Sequence, residues 1–244
     1  MNRIILTLLS FVAVTACHAQ TRQTDEFTTK NGKKVTITCI KHASMAIDYN
    51  GMQIQVDPVG LYLTPHTDYS EFPKADIILV THEHKDHFDR EAIAQLRTHS
   101  TAIYTNQAVY ELFHNGMPLR NGDSIAYAAD ITIKAVPAYN VTEGRQQFHP
   151  RGRDNGYVLT LDGLRIYIAG DTEDIPEMAE LKDIDIAFLP CNQPYTMTTD
   201  QLVRAAQVIR PKVLFPYHYN DTPVRKVVMQ LVGTGIDVRI RNYQ

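Results

Sequence analysis

A chain of 244 residues with 44% hydrophobic side chains is long enough to bury one sizeable core and falls within the range of a single layered domain. Its formal charge of −3 leaves no bulk basic surface, so nucleic acid is not an expected partner. Three cysteines are too few for a disulfide scaffold.

The N-terminus opens with Met1-Asn2-Arg3 and an apolar run from Ile4 to Ala16, too short to span a bilayer as a mature helix. The pattern reads as a secretory signal peptide over residues 1–19, followed by one catalytic domain over residues 20–244. Two processing sites compete. Cys17-His18-Ala19 before Gln20 has the small-x-small pattern of simple cleavage, whereas Val14-Thr15-Ala16-Cys17 has the form of a lipobox that would place a lipid anchor on Cys17. The expected location is outside the inner membrane, either periplasmic or membrane-anchored. Removing Arg3 and no acid moves the charge from −3 to −4. Cys39 and Cys191 remain, both beside apolar stretches, and are expected to be buried thiols that could pair only if the fold brings them close.

Val35 to Ile40, Met45 to Tyr49 and Gln53 to Val56 alternate or run apolar between turn signals, and Asn50-Gly51 marks a hairpin, so the chain begins with antiparallel strands. Ile77-Ile78-Leu79-Val80 reads as a buried strand. Asp89 caps a helix from Arg90 to Arg97, and Asn106 caps a second one that Gly116 ends. Ile131 to Val136 is a strand, followed by a polar stretch from Tyr139 to Asn155 that is too long for an ordinary connection and marks an active-site loop. Tyr157 to Leu161 and Leu164 to Ala169 flank the hairpin signal Asp162-Gly163. Helices over Ile175 to Lys182, Thr199 to Ile209 and Val224 to Val232 then alternate with strands over Ile184 to Leu189, Val213 to Tyr217 and Val238 to Ile240. Meanders followed by strand-helix alternation predict two sheets packed face to face with helices outside.

The chemistry concentrates in Thr81-His82-Glu83-His84-Lys85-Asp86-His87, which follows the strand ending at Val80. His82 and His84 project to one side of an extended segment and suit one ion, while Asp86 and His87 follow a bend and can turn toward a second. Imidazole and carboxylate together suit zinc, manganese or iron. Asp171, freed by Gly170 at the end of an apolar strand, can bridge two ions with its two oxygens, and His218 ends Val213-Leu214-Phe215-Pro216-Tyr217 in the same way.

Asp57 in Val56-Asp57-Pro58, the HxHxDH pattern of His82, His84, Asp86 and His87, the turn Gly170-Asp171-Thr172 and the late His218 occur in an order that resembles the metallo-β-lactamase superfamily. Lys41-His42-Ala43-Ser44 and Val136-Pro137-Ala138-Tyr139-Asn140 are similar to the branch that contains L-ascorbate-6-phosphate lactonase. The resemblance implies an α/β fold, a four-layer αββα sandwich, with two divalent metal ions, zinc before manganese or iron, at one edge of the sheets. It implies metal ligation by His82, His84 and one further imidazole at the first ion, by Asp86, His87 and His218 at the second, and by Asp171 between them.

Where the family places its middle His, Pro137-Ala138-Tyr139 stands instead, and His149 in the long loop is the expected substitute. Asn140 offers only a neutral carbonyl oxygen, and Tyr139 would have to ionise. His42 is expected to line the cleft with a catalytic role, and Asp86 to orient the nucleophile or take a proton. His18, His66, His99 and His114 fit no pattern. The expected activity is hydrolysis of a small ester, lactone, amide or phosphoester by a metal-bridging hydroxide. A mononuclear iron dioxygenase on the same scaffold and a catalytically silent binding protein are the alternatives.

Overall fold

The computed structural model describes residues 22–243. The leader read over residues 1–19, including Cys17, lies outside the described residues. One seven-stranded sheet runs in chain order through β1 (Thr24–Thr28), β2 (Lys34–Lys41), β3 (Ser44–Tyr49), β4 (Met52–Val56), β5 (Ile77–Leu79), β6 (Ala102–Thr105) and β7 (Met117–Pro118). The second is built from β8 (Ser124–Ala128), β9 (Ile131–Ala138), β10 (Asp154–Leu161), β11 (Leu164–Ile168), β12 (Ile186–Pro190), β13 (Val213–Tyr217) and β14 (Asp237–Val238), also in sequence order across the sheet. In each sheet the strands begin as an antiparallel meander, and pairing becomes parallel from β4 to β5 and from β11 to β12 onward.

Between the sheets lies a core fed by alternate residues of both: Ile37, Ile47, Ile54, Ile77 and Leu79 from the first, and Ile133, Leu159, Ile166, Ile168, Phe188 and Phe215 from the second. The Phe188 and Phe215 rings stack with centroids 4.8 Å apart. Each such side chain contributes roughly 1.5–3 kcal/mol by leaving water. Helices α1 (Arg90–Leu96) and α2 (Gln107–Phe113) bury Ile93, Leu96 and Val109 against Ile78, Val80 and Ile103 on the outer face of the first sheet. Helix α3 (Thr199–Ile209), with a Thr198–Gln201 capping box, and α4 (Arg225–Gln230) cover the second sheet through Leu202, Ala206 and Val227 against Tyr167, Ala187 and Leu214. The result is the expected αββα sandwich.

Several elements differ from the sequence reading. The helix expected over Ile175 to Lys182 is a single 3-10 turn, Pro176–Glu180: Ile175 makes no side-chain cap and Met178 alone anchors it in the core. The last strand is Asp237–Val238, set by pairing to Val213 and Leu214. Strands β1, β6, β7 and β8 were not anticipated; β1, β7 and β8 are edge strands whose side chains are largely exposed, so they carry little apolar signal, and β6 is only 4 residues long. Cys39 and Cys191 are buried and free, with burial pushing their thiols up to about 11 and about 12.

Candidate metal centre and active site

The strand registers bring several ends to one edge of the sandwich. Pairing of Val56 with Leu79 sets Asp57 beside the segment that follows β5, and the Asp57 amide donates to the Leu79 carbonyl. Across the interface, the Tyr157 hydroxyl of β10 donates to the Val80 carbonyl at 2.8 Å and the Asn155 amide to the Thr81 carbonyl at 3.1 Å, so the second sheet holds the start of the heptapeptide. The His87 and Phe88 amides then bond back to the His84 carbonyl, the bend that separates His82 and His84 from Asp86 and His87.

Gly170 lets β11 deliver Asp171 into this space. Its φ is +65°, and a Cβ there would stand 2.7 Å from the Asn155 carbonyl oxygen, so no other residue fits without displacing the turn. His218 follows β13, and its amide donates to the His42 carbonyl, at the end of β2, at 3.1 Å.

Two clusters result, each with ligand atoms within 4.8 Å of one another: His82, His84, His149 and Asp171 in one, and His42, Asp86, His87 and His218 in the other. Asp171 reaches both. Its Oδ2 lies 3.4 Å from His149 Nε2, 3.9 Å from His82 Nε2 and 3.2 Å from His218 Nε2, and its Oδ1 lies 3.2 Å from His87 Nε2. His149 comes from the long loop, and its ring centroid is 5.0 Å from that of His82 and 4.9 Å from that of His84. Tyr139 and Asn140 turn elsewhere: the Tyr139 hydroxyl donates to Glu177, and the Asn140 side-chain amide donates to the Tyr195 carbonyl. Of the unpatterned histidines, His114 serves as the left-handed cap of α2.

Ring tautomers follow from outer partners. The Thr81 hydroxyl donates to Asp57 Oδ2 at 2.7 Å, so it accepts from His82 Nδ1 at 3.0 Å, and the lone pair of His82 is left on Nε2. His87 Nδ1 donates to Asp57 Oδ2 at 2.8 Å and His149 Nδ1 to Asp154 Oδ2 at 3.0 Å, which aims both remaining lone pairs into the clusters. Three of those inward atoms, His87 Nε2, His218 Nε2 and Asp171 Oδ1, are buried without a hydrogen bond of good geometry. Donors set to converge on shared points rather than on each other fit divalent ions.

The electrostatics agree. Burial pushes His82 and His84 down, the neighbouring imidazoles adding to it. At His87 and His218 burial acts the same way, but Asp171, with Asp57 at His87 and Asp86 at His218, outweighs it; His87 rises well above its usual value and His218 to about 9. Asp171 and Asp86 are held well below the carboxylate range because His218, with His87 or His42, outweighs their desolvation. Protons on His87 and His218 thus stand in for a cation, and ion uptake at neutral pH must expel them.

Asp154, Glu173 and Asn220 escaped the sequence reading. Asp154 is fully buried and gripped by Arg153 Nε at 2.7 Å while it orients His149. Nothing in the order Arg153-Asp154 marks this, beyond an acid five residues after the candidate ligand. Glu173, buried two residues after Asp171, accepts from the Val141 and Thr142 amides at 2.7 and 2.6 Å and so ties the long loop to the Asp171 turn. In Asp154→Asn the first centre should bind its ion about 10–100-fold more weakly while the second stays as it was, which a two-site metal titration reads.

A family model described as a beta-lactamase superfamily domain matches residues 36–218, the span that holds every residue of both clusters. The chain belongs to the metallo-β-lactamase superfamily. A UPF0173 metal-dependent hydrolase of Archaeoglobus fulgidus is 30% identical over 226 residues, covering 84% of this chain and 94% of that protein. Another of the same description, from Ligilactobacillus salivarius, is 32% identical over 197 residues, covering 77% of this chain and 86% of its own. A Parabacteroides distasonis protein, whose crystal structure is described as that of a metal-dependent hydrolase, is 54% identical with a TM-score of 0.88, covering 92% of this chain and 100% of that one. Igni18, a metallo hydrolase of Ignicoccus hospitalis, shares the fold with a TM-score of 0.66 at 24% identity, over 85% of this chain and 95% of its own. Through these relatives the protein falls among the metal-dependent hydrolases of the superfamily.

Proposed function

We propose that this protein hydrolyses a small ester, lactone, amide or phosphoester with two divalent ions side by side, one held by His82, His84 and His149, the other by Asp86, His87 and His218, with Asp171 between them. The observation that carries the reading is the single buried carboxylate of Asp171, whose two oxygens reach imidazoles of both clusters. Ions bound there would lower the pKa of a bound water far below that of free water, toward about 7, and polarise the substrate's carbonyl or phosphoryl oxygen. The chain supplies the rest. Asp86 keeps 26% of its side chain exposed while the other second-cluster side chains are almost closed off, so it stands at the mouth where substrate arrives. Its ionised carboxylate can orient a water and receive its proton.

A panel of small esters, lactones, amides and phosphoesters, assayed with metal-stripped and zinc- or manganese-reconstituted protein, tests the reading. Turnover should depend on the added ion; equal rates in stripped and loaded protein would refute it. Asp86→Asn should lower turnover at least about 100-fold, since general acid–base assistance alone accounts for about 10²–10⁴. Activity should rise with pH on the acid side, because His87 and His218 hold protons that ions must displace. Export is part of the same proposal. Mass spectrometry of the mature chain should find Gln20 or an acylated Cys17 at the N-terminus, and intact Met1 in the cytoplasm would count against it.

A further inference from the structure

We infer that His42 is itself a ligand of the second centre, and that this centre is built for an ion that takes five or six nitrogen and oxygen donors, manganese or iron, rather than for zinc. The inference rests on the two-ion reading above. The placement of the His42 ring leads to it. His42 Nδ1 lies 3.2 Å from Asn220 Oδ1 and can donate to it, which would leave the Nε2 lone pair free. That Nε2 faces Asp86 Oδ2 at 3.0 Å, and an ionised carboxylate has no proton to offer. With His87 and His218 they form one group whose ligand atoms all lie within 4.8 Å of one another, a spacing that suits one shared ion.

A second observation concerns the backbone. His42 and His218 both adopt left-handed conformations, with φ of 50° each. The His218 amide bonds to the His42 carbonyl, and the His42 amide donates to the Tyr243 carbonyl at 2.8 Å. The stitch brings the two rings to a centroid separation of 3.7 Å. Left-handed conformations in residues other than glycine are costly and persist where the surroundings impose them. The shared backbone bond, rather than packing alone, fixes the His42 ring against His218.

Donor counting then separates the two centres. The first has three imidazoles and Asp171. The second has His42, Asp86, His87 and His218, with Asp171 within reach, one protein donor more. Zinc settles at about four ligands, whereas manganese and iron accept larger sets of nitrogen and oxygen donors.

The full chain, stripped with a chelator, should be titrated with Mn(II), read by electron paramagnetic resonance of the free ion, and with Co(II), read by its visible bands. The parent should take up two equivalents, and the Co(II) in the second centre should show the weak bands of high coordination. His42→Ala should weaken the second equivalent at least about 100-fold, the upper end for loss of an outer-shell partner. The first should be unchanged, and the second-centre Co(II) bands should intensify as a donor is lost. His42→Gln separates ligation from support of Asp86, because the glutamine amide can still donate to that carboxylate. It should fail to restore affinity. Parent affinity and spectrum in His42→Gln, or an unaltered second equivalent in His42→Ala, would overturn the assignment. A parent that takes up only one ion overturns both this inference and the two-ion reading, whereas two ions dependent on His42 without hydrolysis of any substrate leaves His42 assigned and removes the hydrolytic reading.

Discussion

Asp171→Ala should empty both centres: metal content falls from about two ions per chain to below one, and hydrolysis by at least about 1,000-fold, beyond the 10–100-fold that follows loss of an outer-shell partner. Among the described residues no other side chain reaches three imidazoles across the two clusters, with contacts of 3.2–3.4 Å to His87, His149 and His218. Elemental analysis after zinc or manganese reconstitution reads the first effect, and two retained ions would break the bridging assignment. The metal-free protein offers an independent check. Asp171 leads the attractions that raise His218 to about 9, against burial. A group raised on folding stabilises the native state fully below its unfolded pKa, near 6.5, and loses that contribution as pH rises through the folded value. Metal-free parent should therefore lose stability between about pH 6.5 and about 9. Asp171→Ala should show a much flatter dependence over that window in chemical denaturation.

Candidate site residues that stand directly after apolar strands were legible in the sequence. Asp57, Thr81 to His87, Asp171 and His218 are all delivered by strand ends, and a buried strand announces both itself and the point where it stops. His149 was reachable only by counting donors, because its position depends on a loop closed by Glu173 and by the Asn140 amide on the His149 carbonyl, contacts that no periodicity encodes. His42 was expected to line the cleft with a catalytic role, but its pairing with His218 was out of reach, since that depends on the His218 amide of the second sheet bonding to the His42 carbonyl of the first. Asp154 carried no signal beyond being an acid shortly after His149. Orienting residues of this kind act through a ring they touch in space, and spacing along the chain does not record the contact. Edge strands such as Thr24–Thr28 were lost for a related reason: their partly exposed side chains leave hydrogen bonding, rather than an apolar pattern, to define them.

Replacing Asp57 should divide stability from metal binding in a way that reports which oxygen does what. The carboxylate is fully buried; its Oδ1 accepts from the Thr81 amide at 2.8 Å, and its Oδ2 accepts from the Thr81 hydroxyl at 2.7 Å and from His87 Nδ1 at 2.8 Å. Asp57→Ala strands all three donors in the interior and places alanine at a φ of 43°, which the short polar side chain of Asp tolerates better. Unfolding free energy should fall by about 3–5 kcal/mol, the range for breaking a buried, hydrogen-bonded charge, with the second ion lost as well. Asp57→Asn is the sharper test. Its amide oxygen can keep the Thr81 amide satisfied, so most of the stability should survive. Its NH2 group, however, now faces His87 Nδ1 as a donor, and the ring answers by carrying its proton on Nε2, the atom that points at Asp171 Oδ1 from 3.2 Å. That tautomer has no lone pair to give to an ion. Asp57→Asn should therefore melt within a few degrees of the parent yet bind its second equivalent of Mn(II) at least about 10–100-fold more weakly. Parent-like affinity in that variant would mean that Asp57 holds the turn without setting the proton on His87.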